Sequence, residues 1–299
     1  MTEHTEAFDR FAIVGLGLIG GSIAKDLRSK FPEASIVAVD PNESSVREAI
    51  DEGVIDDAVT YRDLPDVAQV TFLAPPIDYV AENANQVFNA FNRTHQRALG
   101  RYVILDTASV KAPIAAQFED LTARTDGAVE FVASHPMAGT EYSGFRHARK
   151  DLFRAKPWII CPHPENQEET ITAVSSLLHD LGAKVRRIDA SEHDRQAALV
   201  SHSVIMLSNI IFDYVATNHP EALELAGDGF ISTTRLASGN PELHKSIIQN
   251  NTTFTEAHLK GFSEFLADKI TNLSTDGELL LGYFKKNMDR RNGWLRRRK

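Results

Sequence analysis

The chain has 299 residues, of which 42% are hydrophobic and 24% are charged. This composition is typical of a globular protein with one large or two ordinary domains, and it excludes a disordered chain. The formal net charge of -9 disfavours nucleic-acid binding, because neutralising phosphates requires a basic surface. The single cysteine, Cys161, excludes an internal disulfide.

Membrane insertion and export are not expected. No apolar stretch approaches the roughly 20 residues that are needed to span a bilayer. The first ten residues lack the apolar run of a signal peptide. We therefore predict a cytoplasmic protein in a reducing compartment, with no membrane partner.

The first 190 residues alternate short apolar runs with helical patterns. Strands are predicted at 11–14, 35–39, 70–73, 102–105, 130–133, 158–161 and 184–188. Continuous apolar runs that are separated by helices indicate a parallel sheet covered on both faces. Residues 1–190 are therefore predicted to form a doubly wound α/β domain of the Rossmann type.

Strand patterns stop after residue 188, and long helical segments follow. The first segment runs from residue 191 to about 218 without Gly or Pro, and further helices are predicted at 221–226, 241–249, 253–272 and 277–287. The first segment is apolar on most of its sides, so it needs cover all round. We predict that residues 191–299 form an all-helical domain whose apolar faces are covered in a homodimer.

A glycine-rich turn follows the first predicted strand directly. Gly15, Gly17 and Gly20 form a GxGxxG pattern that opens a helix, and Leu18 and Ile19 lie at the start of that helix. In this context Gly15 permits a tight turn, Gly17 lets the backbone approach a pyrophosphate, and Gly20 allows close packing of helix and strand. The free N–H groups at the helix N-terminus would face the phosphates.

Asp40 ends the second predicted strand, 20 residues after Gly20. A carboxylate at this position can accept hydrogen bonds from both ribose hydroxyls of NAD, and it would repel the extra phosphate of NADP. Pro41 and Asn42, which follow, bring no positive charge. The alternative is that Asp40 caps the next helix. The agreement of strand, glycines and acid favours NAD as the cofactor.

Further polar residues lie where they could form a second site. His135 ends a predicted strand and is a candidate acid or base, although a lone histidine is more often structural. Ser109 follows the preceding strand, either as a hydrogen-bond donor or as a turn residue. Asp194 and His202 lie about 12 Å apart on one face of the long helix, where both could face a site. The alternative is that they belong to a polar stripe that faces solvent. Arg235 is either a buried ion-pair partner or a carboxylate clamp.

The order of the motifs GLGLIGGS, DTASVK, SHPMAGTE, HDRQAALVSH and TTRLAS resembles the prephenate and arogenate dehydrogenase family. The resemblance covers about residues 11–249, and its HPMAG and HD–SH elements are specific, whereas the glycine turn alone is not. It implies a Rossmann domain followed by a helical dimerisation domain. It also implies an NAD-dependent oxidative decarboxylation of prephenate or arogenate in tyrosine biosynthesis, with no metal.

The resemblance also implies roles for the candidate residues. His135 would take the proton from the ring hydroxyl of the substrate, and Ser109 would hydrogen-bond the same region and position His135. Arg235 would hold a substrate carboxylate, while His202 and Asp194 would line the site from the helical domain. Hydride would leave the ring carbon that bears the hydroxyl, and the ring carboxylate would leave as carbon dioxide.

The sequence departs from the family pattern at two positions. Ile205 replaces the second histidine of a common SHLPH run, and His244 stands where a tryptophan is often found. These changes leave open whether prephenate or arogenate is preferred. A β-hydroxyacid dehydrogenase is a second interpretation, but it usually needs a lysine on the long helix, and 191–218 contains none. A non-catalytic NAD-sensing regulator is a third, and it would not need His135 together with Arg235.

Overall fold

The computed structural model describes residues 8–94, 102–123, 125, 127–140, 142–272 and 276–298, without the side chains of 92–94, 119–123 and 298. The chain divides into two compact units, residues 1–255 and 256–299. The domain boundary predicted at residue 190 stays a prediction.

The described part of the first unit contains one sheet. Its strands are β1 (Arg10–Val14), β2 (Ser35–Val39), β3 (Asp57–Ala58), β4 (Val70–Leu73), β5 (Tyr102–Asp106), β6 (Val129–Pro136), β7 (Pro157–Cys161) and β8 (Lys184–Arg187). They lie in the order β3-β2-β1-β4-β5-β6-β7-β8. The first six are parallel in the order 3-2-1-4-5-6 of a dinucleotide-binding fold, which confirms the predicted Rossmann class.

The expectation of a wholly parallel sheet is wrong at one pair of strands. β7 runs antiparallel to β6, and β8 is then parallel to β7. A parallel strand needs a long crossover, usually an α-helix. Between β6 and β7 the described residues form only a short 3-10 helix, Phe145–His147, so the chain returns in the opposite direction.

Helices cover both faces of the sheet. They are α1 (Leu18–Lys30), α2 (Glu43–Asp51), α3 (Leu64–Val67), α4 (Ile77–Thr94), α5 (Ala112–Ala123) and α6 (Glu168–Asp180). Two separate apolar cores result, and alternate strand residues enter each: Phe11 and Ile13 of β1 belong to one core, Ala12 and Val14 to the other. The carboxyl ends of the parallel strands therefore meet at one edge of a layer that is packed on both sides.

A helical region follows β8. Its α-helices are α7 (Ala190–Ala197), α8 (Ser203–Asn218), α9 (Asp228–Thr234), α10 (Pro241–Asn250), α11 (Thr252–Thr271) and α12 (Gly277–Arg298). A π-helical turn, Ala198–His202, joins α7 to α8, so the long helix predicted from residue 191 is confirmed. The segment predicted at 221–226 is a 3-10 helix, Pro220–Leu225, rather than an α-helix.

The long helix Ala190–Asn218 corrects one expectation. With a mean hydropathy of 1.5 it is long and apolar enough, by length and composition alone, to cross a membrane. The polar residues scattered along it do not lower its average enough to exclude this. Core helices of globular proteins pass the same test when they are mostly buried, whereas 28% of the apolar stretch is buried here. The helix nevertheless buries His193, Asp194 and His202 within the fold.

Candidate active site

The three glycines of the turn after β1 have different surroundings. Gly15 has φ +96, and a Cβ there would lie 2.9 Å from the backbone of Ala74. A Cβ on Gly20 would collide with the carbonyl oxygen of Gly15. Over Gly17 nothing lies within 4 Å. Gly15 and Gly20 are thus required by the turn and by packing, whereas Gly17 leaves its backbone open to a ligand.

The N-terminus of α1 suits an anion. Gly17 is the N-cap, and the first turn contains no acidic residue. Gly21 donates to the carbonyl of Gly17 at 2.9 Å, so the N–H groups of Leu18, Ile19 and Gly20 precede the helical hydrogen-bond ladder. These donors and the helix dipole form the arrangement that binds the pyrophosphate of a dinucleotide. The residues present therefore fit NAD.

Asp40 joins the end of β2 to the glycine turn. One carboxylate oxygen accepts from Leu16 N at 2.5 Å, and the other accepts from Asn42 N at 2.7 Å. The N-cap of α2 is Asn42, whose side chain accepts from the backbone of Ser44 and Ser45. The alternative that Asp40 caps this helix is therefore wrong. Asp40 lies beside the turn that would hold the pyrophosphate, where a ribose-binding acid is expected.

A second cluster joins the sheet to the long helix through three buried side chains. His135, in β6, places its Nδ1 2.9 Å from Nε2 of His193. Nδ1 of His193 lies 2.8 Å from a carboxylate oxygen of Asp194. The alternative of a polar stripe facing solvent is therefore wrong, because Asp194 and His202 are both buried.

The N-terminus of α5 holds the Asp194 carboxylate. Lys111 N donates to one oxygen at 2.7 Å, and Ala112 N donates to the other at 2.8 Å. A carboxylate at a helix N-terminus accepts from otherwise unpaired N–H groups and is favoured by the helix dipole. Since both oxygens are engaged, the orientation of this carboxylate is fixed.

A buried ion pair between Asp106 and Lys111 holds the backbone next to His135. Asp106, which ends β5, accepts from the Lys111 ammonium and from Ser134 N, the latter at 2.8 Å. Lys111 Nζ also donates to Ser134 O at 2.7 Å, and Ser134 Oγ donates to Asp106 O at 2.5 Å. A buried pair whose members are fully hydrogen-bonded favours one arrangement of the groups around it. It ties the carboxyl ends of β5 and β6 together, directly beside His135.

His202 lies in the π-helical turn and is buried. Its Nδ1 is 2.9 Å from Asn251 Nδ2, which also donates to the carbonyl of Asp194 at 2.8 Å. Its Nε2 is buried and makes no hydrogen bond of good geometry within the described chain. An unpaired buried polar group costs about 1–3 kcal/mol, so this nitrogen favours a ligand or water as a partner. Single π-helical turns are frequent at functional sites.

Burial lowers the pKa of both site histidines. For His135, desolvation and then the nearby His193, Lys111 and His202 hold the pKa well below its ordinary 6.5. Burial lowers the pKa of His202 to about 4, an effect that the Asp194 carboxylate partly offsets. Both rings are therefore neutral near pH 7, the form in which a histidine accepts a proton.

The other two predicted residues lie at the edges of this cluster. Ser109 is half-buried after β5, and its backbone is close enough to His202 to affect the pKa of that ring. Arg235 begins a 3-10 helix, Arg235–Ser238, which packs against α8. Because Arg235 is exposed, it is not a buried ion-pair partner, and its role as a clamp stays a prediction.

The two departures from the family pattern lie on α8 and α10. Ile205 is buried, and the ring of His244 lies where a Cβ on Gly239 would be. Glu141, the last residue of the SHPMAGTE motif, lies outside the described residues. Within the described ranges, no group of three or more His, Cys, Asp or Glu side chains could hold a metal ion.

Sequence reasoning did not assign functions to four residues of this cluster. They are Lys111, Ser134, His193 and Asn251. The first three lie inside the quoted motifs, next to residues that were predicted to form the site, and this proximity could have identified them. Asn251 lies in no motif.

The doubly wound sheet, the open glycine turn and the buried neutral histidine define a dinucleotide-dependent dehydrogenase with a helical second region. Family models place the chain more narrowly. The prephenate dehydrogenase nucleotide-binding domain matches residues 23–187, and the prephenate dehydrogenase dimerization domain matches residues 189–286. The chain belongs to the prephenate dehydrogenase family.

Individual proteins of this family resemble the chain over nearly its whole length. The prephenate dehydrogenase of Lactococcus lactis subsp. cremoris is 31% identical over 283 residues, which are 93% of this chain and 75% of that protein. The structure of prephenate dehydrogenase from A. aeolicus, in complex with hydroxyphenyl propionate and NAD+, superposes with a TM-score of 0.83 at 25% identity, covering 95% and 97% of the two chains. Synechocystis arogenate dehydrogenase superposes with a TM-score of 0.78 at 28% identity, covering 94% and 99%.

Proposed function

We propose that the protein is an NAD-dependent prephenate dehydrogenase, which converts prephenate to 4-hydroxyphenylpyruvate and carbon dioxide in tyrosine biosynthesis. The observation that carries the proposal is His135, a buried neutral histidine at the carboxyl end of β6, held by His193 and Asp194. The family assignment and the NAD+ complex of the A. aeolicus relative support the reaction and the cofactor.

The glycine turn and β2 would hold the cofactor. The Gly17 backbone and the N–H groups of Leu18 and Ile19 would bind the pyrophosphate, and Asp40 would accept from the ribose hydroxyls. When bound, NAD supplies the acceptor for the hydride that leaves the ring carbon bearing the substrate hydroxyl. Asp40 would disfavour NADP through repulsion of its additional phosphate.

His135 performs the proton transfer. The substrate loses a hydride and carbon dioxide, and its ring becomes aromatic. The hydroxyl proton that His135 takes up returns to the ring oxygen as decarboxylation forms the phenol. As hydride departs, neutral His135 accepts the hydroxyl proton, and the resulting positive charge is stabilised through His193 by the Asp194 carboxylate. Aromatisation drives the reaction, so the protein needs to supply mainly orientation and one base.

Polar side chains around His135 would orient the substrate. Arg235 would bind a substrate carboxylate through two parallel hydrogen bonds. The unpaired Nε2 of His202 and the hydroxyl of Ser109 would bond substrate oxygens near the reacting carbon. The likeness to Synechocystis arogenate dehydrogenase favours arogenate as the second candidate substrate.

We also infer a cytoplasmic homodimer with no nucleic-acid or membrane partner. The family model for residues 189–286 is described as a dimerization domain. In addition, α8 exposes several large apolar side chains, among them Ile210, Ile211 and Phe212. The net charge of -9 is unfavourable for contact with phosphate backbones.

Steady-state kinetics test the proposal. Prephenate and arogenate are each supplied with NAD and with NADP, and the absorbance of the reduced cofactor is followed. We expect the highest kcat/KM with prephenate and NAD. A higher kcat/KM with arogenate would transfer the assignment to arogenate dehydrogenase. Absence of turnover with all four pairs would overturn the dehydrogenase assignment and leave the NAD-sensing interpretation.

A further inference from the structure

We propose that Asp194 is a positioning residue that sets opposite tautomers in the two site histidines, so that His135 presents a basic nitrogen and His202 presents a hydrogen-bond donor. Asp194 acts on His135 through its carboxylate and on His202 through its backbone carbonyl. The catalytic consequence rests on the proposed function, whereas the tautomers follow from the hydrogen bonds alone.

The carboxylate determines the proton position on His135. Both Asp194 oxygens already accept backbone N–H groups at the start of α5, so the carboxylate can only accept from His193. Nδ1 of His193 therefore carries the proton, and in the neutral ring Nε2 is a lone pair. Nδ1 of His135, at 2.9 Å from that lone pair, must donate to it. Nε2 of His135 is consequently unprotonated and able to act as the base.

The carbonyl of Asp194 determines the proton position on His202. A carbonyl oxygen only accepts, so the Asn251 atom that lies 2.8 Å from it is the amide nitrogen. The same nitrogen lies 2.9 Å from Nδ1 of His202, which must therefore accept. In the neutral ring the proton is then on Nε2, which is buried and makes no hydrogen bond of good geometry in the described chain. The backbone of Ser109 lies close to this ring, and a substrate oxygen would offer Nε2 a better-aligned acceptor.

With opposite tautomers, one histidine offers the substrate a proton acceptor and the other offers it a hydrogen-bond donor. Two rings in the same tautomer would offer either two lone pairs or two donors to the substrate. The rings are close enough for charge on His202 to lower the pKa of His135. Two consecutive residues of α7, His193 and Asp194, therefore coordinate the base and the donor.

Nitrogen-15 spectra of the histidine rings test the proposal without substrate. The chain has 11 histidines, and the signals of His135 and His202 are assigned by their loss in H135N and H202Q. In the cofactor-free wild type at neutral pH we expect the proton on Nδ1 of His135 and on Nε2 of His202. The opposite tautomer at either ring would overturn the proposal, even in an active enzyme. The expected tautomers in a protein that oxidises none of the substrates would instead refute only the proposed function.

Two variants of His193 separate positioning from packing. H193Q keeps an acceptor near the site of Nε2, whereas H193F keeps the bulk and removes the acceptor. We expect H193F to lose the tautomer preference of His135 alone and to lower kcat by about 10- to 100-fold, the scale known for removing the hydrogen-bond partner that orients a metal-binding histidine. H193Q should retain the preference and most of kcat, and KM for NAD should stay unchanged in both. Equal losses in the two variants, with the His135 tautomer unmoved, would contradict the proposal.

Asn251 provides the matching test at His202. In N251D the new carboxylate can only accept, so the ring must turn its proton to Nδ1 and lose the donor at Nε2. We expect this reversal in the spectra together with a KM for the substrate raised at least severalfold, while His135 keeps its tautomer. N251A, which removes the partner without adding charge, should give a mixture at His202. An unchanged Nε2 proton in both variants would overturn this half of the proposal.

Discussion

If His135 is a base and Arg235 a carboxylate clamp, substitutions of the two residues should change different kinetic parameters. We expect H135N to lower kcat by about 100- to 10,000-fold, because it removes the proposed proton acceptor at the reacting hydroxyl. Its KM should change much less, since asparagine still hydrogen-bonds the hydroxyl. R235Q should mainly raise KM for the substrate and leave KM for NAD near the wild-type value.

The pH dependence of kcat gives an independent check on His135. The base acts only when neutral, and burial holds its pKa well below 6.5. Activity should therefore be lost only as the pH falls below 6.5, and H135N should lack this acidic limb. An H135N enzyme with near-normal kcat and an intact limb would return His135 to a structural role.

Cofactor choice should depend on Asp40. An exchange of Asp40 for Ser, combined with a new arginine nearby, should relax the preference for NAD. Asn42 is a poor position for that arginine, because it caps α2 and losing the cap costs about 1 kcal/mol. D40S with P41R avoids this loss. The ratio of kcat/KM for NAD and NADP measures the effect, and a wild type that prefers NADP would contradict the role of Asp40.

Single residues were predictable where they lie in motifs and unpredictable where tertiary contacts create their role. His135, Asp194 and His202 stand in recognisable runs at a strand end or on the long helix. Asn251 is the C-cap of α10, and only folding brings it 2.9 Å from His202. Hydrogen-bond partners between distant elements depend on packing that no local pattern encodes.

At the scale of elements, α1 contains a buried acid that is independent of the catalytic cluster. Asp26 accepts from Asp151 N at 2.8 Å through one oxygen, while the other oxygen is buried with no partner in the described chain. Burial raises the pKa of Asp26 from 3.8 to about 6. The folded state therefore binds this proton more tightly than the unfolded state, and its contribution to stability is lost as the pH rises through about 6.

We expect D26N to stabilise the protein above this pKa. At about pH 8 the ionised carboxylate costs roughly 2 to 3 kcal/mol, which the neutral amide avoids while it still accepts from Asp151. Denaturant unfolding of both proteins at several pH values measures the difference. The advantage should shrink as the pH falls towards 4, and a difference that is the same at every pH would exclude titration of Asp26 as its cause.

Elements were predicted well where periodicity is strong. Seven of the strands and the long helix follow from apolar runs, but β3 has only two residues and leaves no pattern. The antiparallel direction of β7 depends on the connection before it, which a run of apolar residues does not report. The π-helical turn at His202 was not predicted either, because one extra residue in a turn does not visibly change the hydrophobic pattern of a helix that is apolar on most sides.

The site as a whole requires the long helix to pack against the sheet. The sheet supplies the glycine turn, Asp40 and His135, whereas the helix supplies His193 and His202. Asp194 links them through its carboxylate, which accepts from two backbone N–H groups at the N-terminus of α5. His135, the proposed base, therefore acquires its orientation when these two parts pack together, so the same contacts stabilise the fold and position the site.

The exposed apolar side chains of α8 predict assembly into a dimer. Ile211 on α8 is 40% exposed in the isolated chain, and several neighbouring apolar residues share its exposure. Covering such side chains contributes about 1.5–3 kcal/mol each when burial is complete, which favours a second copy of the helical region. Light scattering should give twice the chain mass of 33.1 kDa, and I211D should shift the protein towards monomer. I50D is the matched control, because Ile50 on α2 is 38% exposed and lies in the nucleotide-binding part. If wild type is a monomer at micromolar concentration, or if both variants dissociate equally, α8 is not the dimer interface.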